Sequence, residues 1–264
     1  MERSMIILKI IRLLKLKNGV KRVLLENRKI VFKALVGSHN YNLNSIDSDK
    51  DYKLFTLPTF EELYHGKRYA KQIITPTEDL DIHDIRKLSD LYFKANINYL
   101  ETLASKEIII PQGNEEIEKI LSLKKEIFKM NLPYLFDACY GMHKQKMSLL
   151  HKGTEGTQYL VDEFGYDTKQ AQHAYRCLNF LERFEATGFN DFEKAIQYTG
   201  DEQKFMKYIK GGLYTQEQFI EFVTLYLEEQ ILPLKEKYRS YSANEDIKNE
   251  IDFLIMRLIR RKVK

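Results

Sequence analysis

The feature that most constrains this fold is a short apolar segment that ends in glycine and is followed, across a polar loop, by two closely spaced aspartates. Residues 30–36 (IVFKALV) are apolar and partly β-branched, and Gly37 ends the run, which predicts a buried strand. Asp49 and Asp51 open a second candidate strand at residues 51–57. Two carboxylates that are two residues apart on a strand lie on the same face of the sheet.

The next part of the chain continues this alternation of short elements. Residues 71–75 can form a third short strand or a loop. Residues 79–83 alternate strictly between polar and apolar side chains, as a half-buried strand does. A helix is predicted from about Asp84 to Leu103.

After about Pro111 the pattern changes, because apolar residues recur every three or four positions almost to the C-terminus. No strand is predicted there. We therefore predict an α+β fold, with a small mixed sheet in residues 1–110 and an all-helical domain in residues 111–264. Before the sheet, residues 5–17 suit an amphipathic helix docked on the domain.

Composition and charge exclude several classes of protein. The net charge of +4 is too small to indicate a nucleic-acid partner by itself. Cys139 and Cys177 have neither zinc nor disulfide spacing, and the charged N-terminal segment is a poor signal peptide or membrane span. These features predict a cytoplasmic protein. Basic residues cluster at both ends, where they can bind phosphate or face solvent: Lys9, Arg12, Lys15, Lys17, Lys21 and Arg22, then Arg257, Arg260, Arg261, Lys262 and Lys264.

The glycine loop and the aspartates offer groups for binding phosphate and metal. Gly37 has no side chain to keep main-chain N–H groups away from a phosphate, and Ser38 can donate a hydrogen bond to it. Asp49 and Asp51 repel each other when buried, and Mg²⁺, which prefers hard oxygen ligands, relieves that repulsion. Two such ions can activate an attacking hydroxyl and stabilise a leaving pyrophosphate. The alternative is a solvated acidic loop.

A pair of metal ions needs a third acidic ligand, and the alternating segment offers two. Asp81, between two apolar residues, is the first choice, and Asp79, which points the same way, is the alternative. Other phosphate motifs are missing from the sequence: there is no Walker-type loop and no dinucleotide-binding glycine fingerprint.

A second candidate group lies in the helical half. Lys169, His173 and Arg176 are spaced by four and three residues, so they share one face of a predicted helix. A cationic stripe of this kind suits a triphosphate. The alternative is a solvated or salt-bridged face.

These motifs resemble those of a known superfamily. Gly37-Ser38, ten residues and then Asp49-x-Asp51 resemble the signature of the DNA polymerase β-like nucleotidyltransferases. Residues 79–88 and 95–101 are similar to the predicted-nucleotidyltransferase family of bacteria and phages, which includes an RNA-repair-associated branch. Where that family has Gly-Asn-Pro, this chain has Ala95, Asn96 and Ile97. The resemblance implies a palm-like catalytic domain.

Residues and resemblance together predict a metal-dependent nucleotidyltransferase. It would move a nucleoside monophosphate from an NTP to an acceptor hydroxyl and release pyrophosphate. ATP and CTP are the favoured donors, and two Mg²⁺ or Mn²⁺ ions would be bound. The catalytic and metal-binding residues would be Asp49, Asp51 and Asp81, with Asp79 as the alternative. The nucleotide-binding residues would be Gly37, Ser38, Lys169, His173 and Arg176.

The acceptor is left open between several classes. An RNA 3′ end is favoured by the basic termini and by the RNA-repair branch, the latter as analogy alone. Transfer of AMP to a protein, as in antitoxin-like minimal nucleotidyltransferases, is the alternative enzyme. A catalytically silent nucleic-acid-binding or regulatory module is the alternative from another class.

Overall fold

The computed structural model of the protein describes residues 28–46, 48–75 and 77–263. The helix predicted over residues 5–17, the N-terminal basic cluster and Lys264 lie outside these residues.

Five strands form one mixed sheet at the front of the described chain, in the order β3-β4-β2-β1-β5. β1 pairs antiparallel with β2 and β5, β3 pairs antiparallel with β4, and β2 and β4 run parallel. The predicted α+β fold is confirmed, whereas β5 is too short to show a pattern and was not predicted. The bounds are β1 Ile30–Val36, β2 Lys50–Thr56, β3 Ala70–Ile74, β4 Glu78–Asp84 and β5 Ile108–Ile109.

The two faces of the sheet carry different clusters, because side chains alternate along each strand. One face contributes Phe32, Ala34 and Phe55 to the main core, which it shares with the helices. The other face carries a smaller apolar cluster: Leu35, Tyr52, Leu54, Ile73, Leu80 and Ile82. Polar residues of β2 and β4 therefore lie on the same face as the main core, toward one end of the sheet.

The single helix predicted from Asp84 to Leu103 is wrong in detail, because it is broken in the middle. Ala95 has a φ of 48°, in the left-handed region where a right-handed helix cannot continue. The side chain of Asn96 then accepts the N–H of Asn98 at 3.1 Å and caps the next helix. The pieces are a 3₁₀ turn Ile85–Lys87, α3 Leu88–Phe93, α4 Ile97–Leu100 and a 3₁₀ turn Glu101–Ala104.

Two short helices lie between the first three strands, α3 and α4 lie between β4 and β5, and helices occupy most of the chain after β5. In the part that the structure describes, no strand follows β5, and no helix has the length and apolar character needed to cross a membrane. The remaining bounds are α1 Gly37–Asn40, α2 Phe60–Tyr64, α5 Glu115–Ser122, α6 Lys124–Lys129, α7 Leu132–Met147, α8 Gln158–Phe164, α9 Thr168–Ala186, α10 Phe192–Ile196, α11 Gly200–Lys210, α12 Gln216–Tyr226, α13 Lys235–Arg239 and α14 Glu245–Lys262.

Helix α9 is the centre of the helical half. It begins where the side chain of Asp167 accepts the N–H of Gln170 at 3.0 Å, and it packs against α7, α10 and α11. The main core runs without a break from the sheet into these helices. The predicted division at residues 110–111 therefore separates two parts that share one core, and it stays a prediction.

The C-terminal helix is fixed to α5 by a buried carboxylate. The Glu116 side chain is 2% exposed and lies 2.6 Å from Arg261 and 3.2 Å from Arg257. An unpaired buried carboxylate lowers the stability of a fold, so the fold needs these two arginines as partners of Glu116. Part of the C-terminal basic cluster thus has a partner in the protein itself.

Phe192 is the position at which the core can be tested most directly. Its side chain is fully buried and stacks on Phe128, with ring centroids 4.0 Å apart. Phe192→Ala should lower the free energy of unfolding by about 3–5 kcal/mol, measured by chemical denaturation. Phe60→Ala is the control, since Phe60 is 60% exposed and its loss should cost within about 0.5 kcal/mol. Equal losses would contradict this account of the core.

Candidate active site

Two carboxylates of the predicted site lie side by side on neighbouring strands. Asp51, near the start of β2, pairs in register with Asp79, near the start of the parallel strand β4. Neighbouring strands are about 4.8 Å apart, and paired residues point to the same face, so the two carboxylates crowd one another. Asp49 precedes β2 by one residue, is exposed, and lies on the same side as Asp51.

This crowding leaves the carboxylates short of positive charge. Burial, and after it the charges of Asp79 and Asp49, raise the pKa of Asp51, against opposing effects of Lys169 and His39. Burial and then Asp49 raise the pKa of Asp79. The Oδ1 atom of Asp79 is buried and has no hydrogen-bond partner. An under-compensated group of this kind is stabilised by a cation.

The donor set fits a divalent metal bound together with a nucleotide. Within the described ranges, no three His, Cys, Asp or Glu side chains are arranged to hold a cation by themselves. Mg²⁺ rarely needs such a cage, because it is usually held by one or two carboxylates and by substrate phosphates. The partnerless Asp79 Oδ1 beside Asp51 is the observation that favours a cation here.

The geometry favours Asp79 over Asp81 as the third acidic residue. Both oxygens of Asp81 are taken, one by Lys53 Nζ at 2.6 Å and one by His83 Nε2 at 2.9 Å. Burial acts to raise the pKa of Asp81, but the hydrogen bonds from His83 and Lys53 outweigh it and lower the pKa to about 2. Asp79, the alternative in the sequence prediction, therefore becomes the preferred third acidic residue, and Asp81 becomes the alternative.

The structure gives Gly37 a role beside the predicted one. It adopts a φ of 70°, and a Cβ atom at this position would lie 2.5 Å from Asp51 Oδ2. Its own N–H donates to Glu101 Oε2 at 3.1 Å. The missing side chain thus makes room for the Asp51 carboxylate, and the approach of a phosphate to this loop stays a prediction. The adjacent Ser38 hydroxyl has no hydrogen-bond partner among the described residues.

A buried polar network holds the glycine loop and connects it to the helical half. Glu101 is 3% exposed, and its carboxylate also accepts from Asn40 at 3.4 Å and from Tyr41. The guanidinium of Arg176, from α9, lies 4.1 Å from the centre of the Tyr41 ring. Cation–π contact and the charge of Glu101 account for this buried arginine. Burial raises the pKa of Glu101, and the hydrogen bond from Tyr41 and the charge of Arg176 oppose the rise.

The three residues of the predicted cationic stripe therefore have different surroundings. Lys169 is exposed, and its charge acts on both Asp51 and Asp79, so it faces the carboxylates. His173 is half-buried, and burial followed by neighbouring cations holds its pKa well below the ordinary range, so it is neutral at pH 7. Arg176 is 6% exposed under Tyr41. Lys169 alone of the three presents a charge to solvent beside the carboxylates.

Sequence reasoning did not connect Glu101, Tyr41 or Lys210 with the other residues that they contact here. Glu101 contacts Gly37, and Arg176 contacts Tyr41 from the helical half, and no spacing within the sequence encodes either contact. Lys210 is a neighbour of Lys169 from another helix. Helical spacing rules relate residues of a single helix, so they cannot find it.

Gly37→Ala tests the contact between the glycine loop and Asp51. Gly66→Ala is a matched control, because Gly66 also has a positive φ, 64°, but nothing lies within 4 Å of its added Cβ. Both variants should lose about 1–2 kcal/mol of stability through backbone strain. Gly37→Ala alone should also weaken binding of Mn²⁺ with ATP about tenfold or more, measured by calorimetry, because Asp51 must move. Equal binding by the two variants would contradict the assignment.

Glu101→Gln tests the buried network, because it removes the negative charge that acts on Arg176 and leaves one oxygen to accept from Gly37, Asn40 and Tyr41. The free energy of unfolding should fall by about 1–3 kcal/mol, and binding of Mn²⁺ with ATP should weaken. Glu107→Gln is the control, since Glu107 accepts from the Tyr52 hydroxyl at 3.1 Å but is 37% exposed. Lower stability with unchanged nucleotide binding would limit Glu101 to a structural role.

Comparison with known proteins gives one family. The model of the RNA repair pathway DNA polymerase beta family (RlaP) matches residues 14–263, which include the whole sheet, the carboxylates and the helical half. No curated protein matches the chain. The resemblance to the RNA-repair branch of the polymerase β-like nucleotidyltransferases is confirmed. The chain belongs to the RNA repair pathway DNA polymerase beta family.

Proposed function

We propose that this protein transfers a nucleoside monophosphate from an NTP to an acceptor hydroxyl and releases pyrophosphate. The observation that carries the proposal is the register of β2 and β4, which pairs Asp51 with Asp79 and leaves Asp79 Oδ1 without a partner. Lys169 supplies positive charge opposite these carboxylates. Membership of a polymerase β-like family supports the same activity at this coarse level.

In the proposed reaction the acceptor oxygen forms a bond to the α-phosphorus, while the bond from that phosphorus to the bridging oxygen breaks and pyrophosphate leaves. Asp49, Asp51 and Asp79 would hold divalent metal ions, which supply Lewis-acid stabilisation of charge on the phosphate oxygens. The Asp79 carboxylate, beside these ions, would help to take the proton of the acceptor hydroxyl. Lys169 neutralises the leaving phosphates.

RNA is the proposed acceptor, on the strength of the RNA repair pathway named in the family description. The test is incubation of the purified protein with each α-³²P NTP, Mg²⁺ or Mn²⁺, and a mixture of tRNA, total RNA and protein. Label on RNA that disappears with the Asp49→Asn/Asp51→Asn variant would support the proposal. Label on protein would favour AMP transfer to a protein. A lack of both transfer and metal-dependent NTP binding would favour a silent module.

Paired variants of β4 decide which aspartate serves the reaction. Asp79→Asn should slow transfer by about 100-fold or more, because it removes charge from the metal site. Asp81→Asn should keep transfer within about tenfold, because its amide oxygen can still accept a hydrogen bond from Lys53. Initial rates of label incorporation measure both. The reverse order of effects would restore Asp81 as the third acidic residue.

A further inference from the structure

Three lysines from three different helices converge on one side of α9. Lys169 is the second residue of α9. Lys210 ends α11, and its main-chain oxygen accepts the Thr168 hydroxyl at 2.6 Å, which puts Lys210 beside Lys169. Lys146 lies near the end of α7, three residues after His143, whose ring contacts the Ala174 carbonyl at 3.2 Å. These contacts place all three lysines beside the first turns of α9, where the charge of each acts on His173.

This group is balanced only at one end, where Lys169 acts on Asp51 and Asp79. Among the described residues, none of the three lysines forms an ion pair with Asp or Glu, whereas Lys204 on α11 pairs with Asp201 at 2.8 Å. The surroundings of His173 contain Lys146, Lys169, Lys210 and Arg176, all of which are cations. Lys146 and Lys210 add charge that these carboxylates do not neutralise, and mutually repelling cations of this kind are stabilised by a bound anion.

The position of the group identifies the kind of anion. The charge of Lys169 acts on Asp51 and Asp79, and Lys210 lies next to Lys169 through its main-chain contact with Thr168. The lysines converge on a single histidine instead of following a groove, so the surface is compact. A short chain of linked phosphates that starts at a metal fits this arrangement, whereas a nucleic-acid backbone requires charges spread along a track.

We propose that Lys146, Lys169 and Lys210 together bind the polyphosphate tail of a nucleoside triphosphate. The lysine site rests on the proposed function for the identity of its ligand, and it adds two assignments to that function. It assigns the leaving pyrophosphate to Lys146 and Lys210, and it assigns Arg176 to holding the glycine loop through Tyr41. Neutral His173 lies between the lysines as a hydrogen-bond donor to the same phosphates.

Binding of inorganic tripolyphosphate, pyrophosphate and phosphate to the full chain in EDTA tests the proposal by calorimetry. Tripolyphosphate should bind most tightly, and its Kd should rise about tenfold with Lys210→Met and again with Lys146→Met. Lys210→Arg should restore most of the affinity. Lys204→Met and Lys144→Met are matched controls, because Lys204 is paired with Asp201 and Lys144 lies over the exposed side of Tyr140. Both controls should bind as the unchanged protein does.

The outcomes separate this proposal from the proposed function. An unchanged tripolyphosphate Kd in the Lys146→Met/Lys210→Met variant would overturn the lysine site, even if nucleotidyl transfer were demonstrated. The same variant can be tested with a short RNA that has no 5′ triphosphate. If that RNA loses as much affinity as tripolyphosphate does, the lysines bind a nucleic-acid backbone, and the proposal is overturned. Tripolyphosphate binding that depends on the lysines, together with no transfer to any acceptor, would support the site and count against the proposed reaction.

Discussion

The pairing of Asp51 with Asp79 on neighbouring parallel strands is the constraint around which the rest of the site is organised. The register of β2 and β4 places two carboxylates side by side at the end of the sheet, where each disfavours the charge of the other. Such an arrangement is costly without a cation. It persists because the strands beneath are fixed by buried apolar side chains, Leu54 and Ile82 among them.

The elements next to this pair are arranged to leave it accessible. Gly37 has no side chain because Asp51 occupies that space, and Glu101 holds the Gly37 N–H so that the loop cannot move into the carboxylates. Asp81, one alternation further along β4, is neutralised by Lys53 and His83. On the same face of the sheet, Asp79 therefore has an oxygen without a partner, whereas Asp81, two residues later, has a partner for each oxygen.

The helical half contributes in two separate ways, and both pass through α9. Arg176 is buried against Tyr41 and belongs to the support of the glycine loop. Lys169, at the start of the same helix, faces the carboxylates and lies next to Lys210. A rigid helix that carries both residues couples the position of the loop to the position of the phosphate-binding lysines. The continuous core beneath makes this coupling stiff.

Sequence patterns predicted the strands at 30–36, 51–57 and 79–83 because their alternation and end residues are local, and they left 71–75 open between a strand and a loop. They did not predict the break at Ala95, since an alanine with positive φ is set by tertiary packing and not by its own preference. The carboxylates were predicted from their spacing. The preference for Asp79 over Asp81 as the third acidic residue depends on the contacts of Asp81 with Lys53 and His83, which the folded strands create. Arg176 looked like part of a solvent-facing stripe, and its burial under Tyr41 follows from contact between distant segments.

The most direct measurement is an anomalous difference map from crystals grown with Mn²⁺ and a non-hydrolysable NTP. We expect a manganese peak at coordination distance, about 2.1 Å, from oxygens of both Asp51 and Asp79, with the phosphates extending toward Lys169. A peak on Asp81 with Lys53 displaced, or an ordered nucleotide with no metal between Asp51 and Asp79, would contradict the assignment of this pair as the metal site.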